Sequence, residues 1–286
     1  MSSIRRTDLL ALSNLRNDGR KPHEIRRMRV QLGPVGTTTT PVSSNPQAAG
    51  GSALVEMGLT VALATVAGPL ACIRRSDERP DRAVVDVSVR TSPFASTDRR
   101  VVNPGTDRRL VEMAQHLQRA LEATILLHLY PKSRIVVAVV VLADDGGRLC
   151  AAINAASAAL MDAGIPTKDV LCACSAGLAG TIDTPLVDLN RSEESTRHGS
   201  HPVNLPCAML PQRGTLVLSQ CEARLPSSEI LDRVLEAAMA GCRAVFAVLQ
   251  AAVLERAEAL MGLRRGTGTI TDAFAAAKQE EEDDDD

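Results

Sequence analysis

Residues 135–142, IVVAVVVL, are apolar at every position, and within a few residues the chain reaches Asp144-Asp145-Gly146-Gly147. A strand apolar on both faces belongs in the interior of a sheet. The two glycines must then turn the chain into residues 150–163, an alanine-rich run that predicts a helix. At such a strand–glycine–helix corner, backbone N–H groups can hold a phosphate. The same pair of glycines also serves a plain tight turn, and both readings stay open on these residues alone.

The rest of the chain is organised around that corner. Strands are predicted at 29–32, 51–56, 60–67, 83–90, 170–179 and 186–188. Residues 203–210 and 215–222 form a hairpin across Gln212-Arg213-Gly214. A helix capped by Thr106 or Asp107 carries Leu110, Met113, Leu117, Leu121, Ile125 and Leu129 at helical spacing, and Pro131 ends it. Residues 226–260 predict a long helix, broken near Gly241, with looser chain after Gly262. These elements predict one α+β domain over 17–262. An N-terminal extension (1–16) precedes it and a disordered acidic tail (263–286) follows. Residues 34–51, rich in Thr, Ser, Asn and Gly, read as a low-complexity loop insertion, too polar to repay ordering.

Composition narrows the function. Of 286 residues only 1% are aromatic, with no Trp and one Tyr. Val, Leu and Ala must build the core, and stacking platforms for single-stranded bases are nearly lacking. Any contact with RNA then falls to arginines on phosphates. The formal charge is −2, but residues 280–286 carry seven negative charges, and the remainder is +5. That run reads as a solvated tail, or as a contact for a basic partner. Seven cysteines, with no C-x-x-C pair, argue against zinc and for a reducing compartment. No signal peptide or long apolar span is read. His198 and His201 lie in a polar loop, as surface histidines do. Asp144-Asp145 and Glu193-Glu194, adjacent in sequence, point apart if extended.

Four separated motifs add a resemblance. DGRKPHEIRRMRVQLG begins at Asp18, GSALVEMGLTVALATVAGP at Gly51, VLADDGGRLCAAINAASAALMDAGIPTKDVLCACSAG at Val141, and LVDLNRSEE at Leu186. With these the chain resembles the RNase PH family from Asp18 to about Leu260. The likeness is closest to the exosome-ring type, whose archaeal counterpart carries the phosphorolytic site. It implies an RNase PH-like (ribosomal protein S5 domain 2-like) two-lobed β-α fold. It also implies a site: a catalytic Asp soon after a DLxxxED segment, a second acid within that segment, and a Gly-Ser/Thr-Arg turn for the attacking phosphate.

Here that pattern is altered. Glu194 takes the last acid position of the segment. The catalytic Asp position falls on Asn204 when aligned backward from LPCAMLP, and on Ser200 when aligned forward. Residues 195–221 contain no Asp or Glu. The phosphate turn becomes Gly147-Arg148-Leu149. Asn neither gives up nor takes a proton near neutral pH and is a poor Mg²⁺ ligand; general acid–base help is worth about 10²–10⁴ in rate.

The degenerate positions Glu194, Asn204, Arg148 and Leu149 therefore lead to the expectation that the chain is not an enzyme and holds no metal or cofactor. It would be a non-catalytic ring subunit that guides single-stranded RNA for 3′–5′ processing by other nucleases. Arg74, Arg75, Arg99, Arg100, Arg108 and Arg109 would line the RNA path; otherwise they are solvated surface charge. The resemblance implies as partners other RNase PH-like subunits, S1/KH cap subunits and hydrolytic exoribonucleases, in the nucleus, nucleolus and cytoplasm. Such a subunit is expected to be poorly soluble alone. Two other readings remain: an active phosphate-dependent 3′–5′ exoribonuclease using Glu194 and a displaced acid such as Asp188, and a homohexameric tRNA-trimming enzyme.

Overall fold

A computed structural model describes residues 15–16, 18–35, 50–72, 74, 78–95, 107–178, 184–194, 203–221 and 227–283, with side chains up to residue 261. The first sheet has five strands: β1 (Met28–Leu32), β2 (Gly51–Met57), β3 (Thr60–Ala71), β4 (Val84–Thr91) and β5 (Ser133–Ala143), in the order β1-β2-β3-β5-β4. β4 runs parallel to β5 and the other pairs are antiparallel. Helix α1 (Arg108–Thr124) packs on β4. The second sheet follows helix α2 (Arg148–Asp162) and has the order β7-β6-β8-β9. Its strands are β6 (Cys172–Leu178), β7 (Leu186–Val187), β8 (Val203–Leu210) and β9 (Thr215–Ser219). A single helical turn, α3 (Arg191–Glu194), links β7 to β8, and α4 (Ser228–Asp283) closes the fold against β6, β8 and β1.

The two sheets meet through α2, which explains its composition. Every residue from Cys150 to Leu160 is buried, so the helix has no solvent face and small side chains are needed all round. A Cβ on Gly51 would lie 2.3 Å from the Ala163 nitrogen and 2.5 Å from the Ala159 oxygen. Only glycine lets β2 come this close to the end of α2. On the other side the Asn154 amide bridges to β6: Nδ2 donates to the Ala173 carbonyl at 2.9 Å, and the Ala173 N–H donates to Oδ1 at 2.8 Å. Val137, Val139 and Val141 of β5 are fully buried, as an interior strand requires.

The predicted α+β organisation is present, and Asp107 is the cap of α1, accepting from the Arg109 N–H. Four expectations are corrected. First, α1 stops at Thr124 and Leu129 lies in a separate 3-10 turn, Leu127–Leu129. Ile125 turns extended to bridge Thr167, and the Leu126 N–H donates to the Pro166 carbonyl, so the backbone leaves the helix to pair with another segment. Second, α4 is unbroken at Gly241, because the bare Cα lets it rest on β6 and β7. A Cβ there would be 2.6 Å from Cys174 Sγ and 2.7 Å from Val187 Cγ1.

Third, α4 continues to Asp283, so residues 263–283 are helical rather than a disordered tail. The helix runs there against local propensity, through Gly266, Thr267, Gly268, Thr269 and Thr271, before it reaches the Ala- and Glu-rich end. Fourth, α4 over Ser228–Met261 is long and apolar enough to cross a membrane by length and composition, where no such span was read; 33% of its apolar window is buried inside the fold. Val234, Ala238, Cys242, Val245 and Leu249 are among its buried residues.

Cys150, Cys172, Cys174, Cys207 and Cys242 are buried, while Cys221 is exposed and Cys72 half-buried. Burial pushes the Cys172 and Cys174 thiols far above their usual range, which removes reactive thiolate. A thiol reagent should therefore label Cys221 first and Cys72 more slowly, with the other five reacting only after denaturant is added. Mass mapping checks this; fast labelling of Cys174 in the native chain would contradict the packing.

Candidate functional site

The site is built where β5 ends. Asp144 to Gly147 turn the chain into α2, with Gly146 at φ 89° and Gly147 at φ 65°. Both values lie in the region that glycine enters without strain. Thr60, the first residue of β3, holds the turn: its hydroxyl accepts from the Asp145 N–H at 3.0 Å and donates to the Gly146 carbonyl at 2.8 Å. Side chains are excluded on the far side. A Cβ on Gly146 would sit 2.7 Å from the Arg191 nitrogen, and one on Gly147 would sit 3.0 Å from Arg26 Nη2.

Under the turn lies a buried ion pair. Arg26 Nη2 donates to Asp188 Oδ1 at 2.8 Å and Nε donates to Oδ2 at 3.0 Å; the side chains are 6% and 1% exposed. The Arg26 backbone N–H also donates to Asp188 Oδ2, and Nη1 reaches the Asp145 carbonyl at 3.0 Å. Burial works against the Arg26 charge, and the hydrogen bond and charge of Asp188 more than offset it. The pair thus ties β1, the site turn and the chain after β7 into one unit.

Arg16 does the same for α3. Its Nη1 donates to the Val187 carbonyl at 2.6 Å, its Nη2 to the Asp188 carbonyl at 3.0 Å, and its Nε to Glu193 Oε1 at 2.9 Å. With Glu193 turned to Arg16, the next residue faces the start of α2. Glu193 and Glu194 do diverge, though on a helical turn rather than an extended strand.

Glu194 Oε1 accepts two hydrogen bonds, from the Gly147 N–H at 2.9 Å and from Asn204 Nδ2 at 3.1 Å. Asn204 stands on β8 opposite Gly177 of β6. That strand pair is close: a Cβ on Gly177 would fall 1.8 Å from the Val203 oxygen. Asn204 Oδ1 is buried with no hydrogen-bond partner among the described residues. Burial raises the Glu194 pKa above the ordinary glutamate range. Asp144 adds to this, while the Gly147 N–H, Arg148 and Arg26 oppose it. Glu194 is therefore a carboxyl suited to holding a proton at the N-terminal end of α2.

The backward alignment is the one the geometry supports, because it places Asn204 on Glu194; Ser200 lies outside the described residues. Asp188 is corrected: both its oxygens are engaged by Arg26, so it is a structural anion and not a displaced catalytic acid. The phosphate-cradle reading changes as well, since the Gly147 N–H is taken by Glu194 and the Gly146 N–H by Asp144 Oδ1. Arg148 pairs with Asp144 at 3.4 Å and is partly exposed at the mouth of the turn. Leu149 packs against the core and offers no polar group.

Of the arginines, Arg74 is exposed in its loop, and Arg108 and Arg109 are exposed at the start of α1. Arg108, 90% exposed, donates to Glu112 at 2.8 Å. Arg75, Arg99, Arg100, His198 and His201 lie outside the described residues. Sequence reasoning missed Arg16, Arg26 and Thr60. The first motif contains Arg26 and the second Thr60, while Arg16 precedes both, and the partners of the two arginines lie far along the chain.

A stability effect follows from Glu194. An unfolded glutamate ionises near pH 4.3, and the buried one ionises at higher pH. Between those values the folded chain binds more protons than the unfolded chain, so stability falls as pH rises; above the folded value the full cost remains. Glu194→Gln keeps an oxygen that accepts both hydrogen bonds and removes the buried charge. The variant should melt above the wild type at pH 7, with the two converging at about pH 4 and below. Equal melting temperatures at pH 7 would contradict a raised Glu194.

Two family models cover most of the chain: 3′ exoribonuclease family, domain 1, over residues 24–166, and domain 2 over residues 169–241. Among curated relatives, the human exosome complex component RRP41 is 40% identical over 248 residues, 86% of this chain and 93% of the relative. Rrp41 of the archaeon Thermococcus kodakarensis is 38% identical over 242 residues, 84% of this chain and 89% of the relative. A crystal structure of rice Rrp46 matches with a TM-score of 0.67 at 24% identity, over 83% of this chain and 100% of that one. The Archaeoglobus fulgidus exosome with RNA bound to the active site matches at 0.62 and 24% identity, over 82% and 92%.

These findings correct one expectation outright. The chain was expected not to be an enzyme, from the altered positions Glu194, Asn204, Arg148 and Leu149. Archaeal Rrp41 proteins, including that of Pyrococcus furiosus at 35% identity, match along nearly their whole length, and both halves fit a 3′ exoribonuclease model. One lost acid and an altered phosphate turn are too narrow a ground to set the chain outside that chemistry, since Glu194 stays in place with a raised pKa.

Proposed function

Because the chain belongs to the RNase PH family of 3′ exoribonucleases, we propose that it is a core subunit of an RNA exosome, seated in a ring with other RNase PH-like chains and receiving the 3′ part of single-stranded RNA at the Asp144–Gly147 turn. The observation that carries this is the likeness to exosome components named Rrp41, at 38–40% identity across most of both chains. The fold match to an exosome with RNA in its active site supports it. In this reading Arg74, Arg75, Arg99, Arg100, Arg108 and Arg109 contact phosphates along the path, which positions a strand without reading its sequence. S1/KH cap subunits and hydrolytic exoribonucleases complete the assembly, in the nucleus, nucleolus and cytoplasm. Purification of a tagged chain followed by native mass measurement tests this. A complex of several different RNase PH-like chains is expected; a homohexamer or a lone monomer would contradict it.

Glu194 favours a second reading, a phosphate-dependent 3′–5′ exoribonuclease. Inorganic phosphate would attack the terminal phosphodiester, the bond from phosphorus to the 3′ oxygen would break, and that oxygen would take a proton from Glu194. The products are a nucleoside diphosphate and RNA shorter by one residue. Release of nucleoside diphosphate by the assembled ring, lost in Glu194→Gln, supports this; release unchanged by that substitution would contradict it.

A further inference from the structure

Leu59 at 73% and Phe94 at 70% exposure are the two most exposed large apolar side chains among the described residues. Apolar side chains scattered singly on a surface are ordinary. These two are not scattered. β5 lies between β3 and β4 and ends in the site turn. Leu59 immediately precedes Thr60, whose hydroxyl holds Asp145 and Gly146. Phe94 follows β4, which runs parallel to β5 and ends level with it, Thr91 opposite Val141. The two side chains therefore flank the Asp144–Gly147 turn on its two sides.

The backbone around Phe94 is fixed, while its ring is uncovered among the described residues. The Ser92 N–H donates to the Val141 carbonyl at 2.9 Å, the Ala95 N–H to the Ser92 carbonyl at 2.9 Å, and the Asp144 N–H to the Ala95 carbonyl at 3.0 Å. The last bond joins the Phe94 turn to the first residue of the site. Ala95 is buried beneath it. The chain has only three Phe and one Tyr, so a ring held out on a pinned turn beside the site is a large share of its aromatic surface. Composition alone argued against stacking; the placement of this one ring reverses that.

We propose that Phe94 is a stacking platform for a base of the RNA strand whose 3′ end lies at the Asp144–Gly147 turn. The proposal rests on the reading of the chain as an RNA-receiving subunit and adds the group that holds a base. Every base has a π-face, so the contact is tolerant of sequence. It complements phosphate contacts, which grip the backbone and leave the bases free.

The test uses the full-length chain purified with the ring subunits that accompany it, and short single-stranded RNA. Phe94→Ala should weaken binding by about 5- to 150-fold, the range for loss of one stacked base, and Phe94→Trp should keep it. The loss should vanish on RNA whose last nucleotides lack bases. Leu129→Ala, an exposed apolar change beside the start of β4 at the other end of the sheet, should bind as the wild type. Three results would overturn the inference while leaving the function standing: unchanged binding by Phe94→Ala, an equal loss on baseless RNA, or loss of ring subunits from the variant, which marks a protein contact. If the wild-type assembly binds no RNA, the proposed function falls with it.

Discussion

Asn204→Asp should raise phosphate-dependent release of nucleoside diphosphates by the assembled ring about 10²- to 10⁴-fold, the usual worth of a positioned general acid or base. The residue already stands in the right place: Asn204 Nδ2 donates to Glu194 Oε1 at 3.1 Å, and its Oδ1 is buried without a partner. An aspartate there would put two carboxyls within hydrogen-bond reach of each other, in a site where burial already raises Glu194. Like charges that close cannot both ionise easily, so the pair would hold one proton over a wider pH range. In the phosphorolytic reading, that proton is the one the leaving 3′ oxygen takes. Single-turnover product release, compared between wild type and variant at saturating phosphate, measures the gain. No gain at any pH between 5 and 8 would mean that the 204 position does not face the reacting phosphate.

Arg26→Met should destabilise the fold by about 3–5 kcal/mol, the cost of leaving one member of a buried pair uncompensated. Asp188, 1% exposed, would lose both side-chain hydrogen bonds to its carboxylate and keep Arg20 Nη1, at 4.0 Å, as its side-chain partner. The carbonyls of Asp145 and Gly146 would each lose a donor as well. A loss of that size is a large part of the 5–15 kcal/mol that holds a typical domain, so the soluble yield of the full-length chain should collapse and its denaturant midpoint should drop. Glu112→Ala removes the partner of the exposed Arg108 and should leave the midpoint unchanged, as surface pairs contribute little. Similar midpoints for the two variants would show that the pair under the turn does not organise the site.

The contrast between these variants also marks what the sequence discloses. The corner of β5, two glycines and α2 was legible because each part has a local signature: an unbroken apolar run, a glycine pair and an alanine-rich helix. Asp107 as the cap of α1 was legible for the same reason. Glu194 was legible through LVDLNRSEE, whereas Asn204 was one of two positions, since counting back from LPCAMLP gave Asn204 and counting forward gave Ser200. Arg26 and Asp188 were not legible, because they are 162 residues apart and nothing local distinguishes a buried arginine from an exposed one. Asp188 was even weighed as a spare catalytic acid, which it cannot be while Arg26 engages both oxygens. Gly241 looked like a helix breaker because propensity is local, whereas the close approach to Cys174 and Val187 that requires a glycine is tertiary. The count of aromatic residues could not reveal that one of them stands at the mouth of the site.

Cryo-electron microscopy of the assembled ring bound to single-stranded RNA tests the central claim most directly. The density should show this chain between two RNase PH-like neighbours, with the last phosphodiester of the RNA beside Glu194 and Asn204 at the mouth of the Asp144–Gly147 turn. An RNA strand whose 3′ end lies elsewhere in the assembly, with that turn bare, would contradict the account.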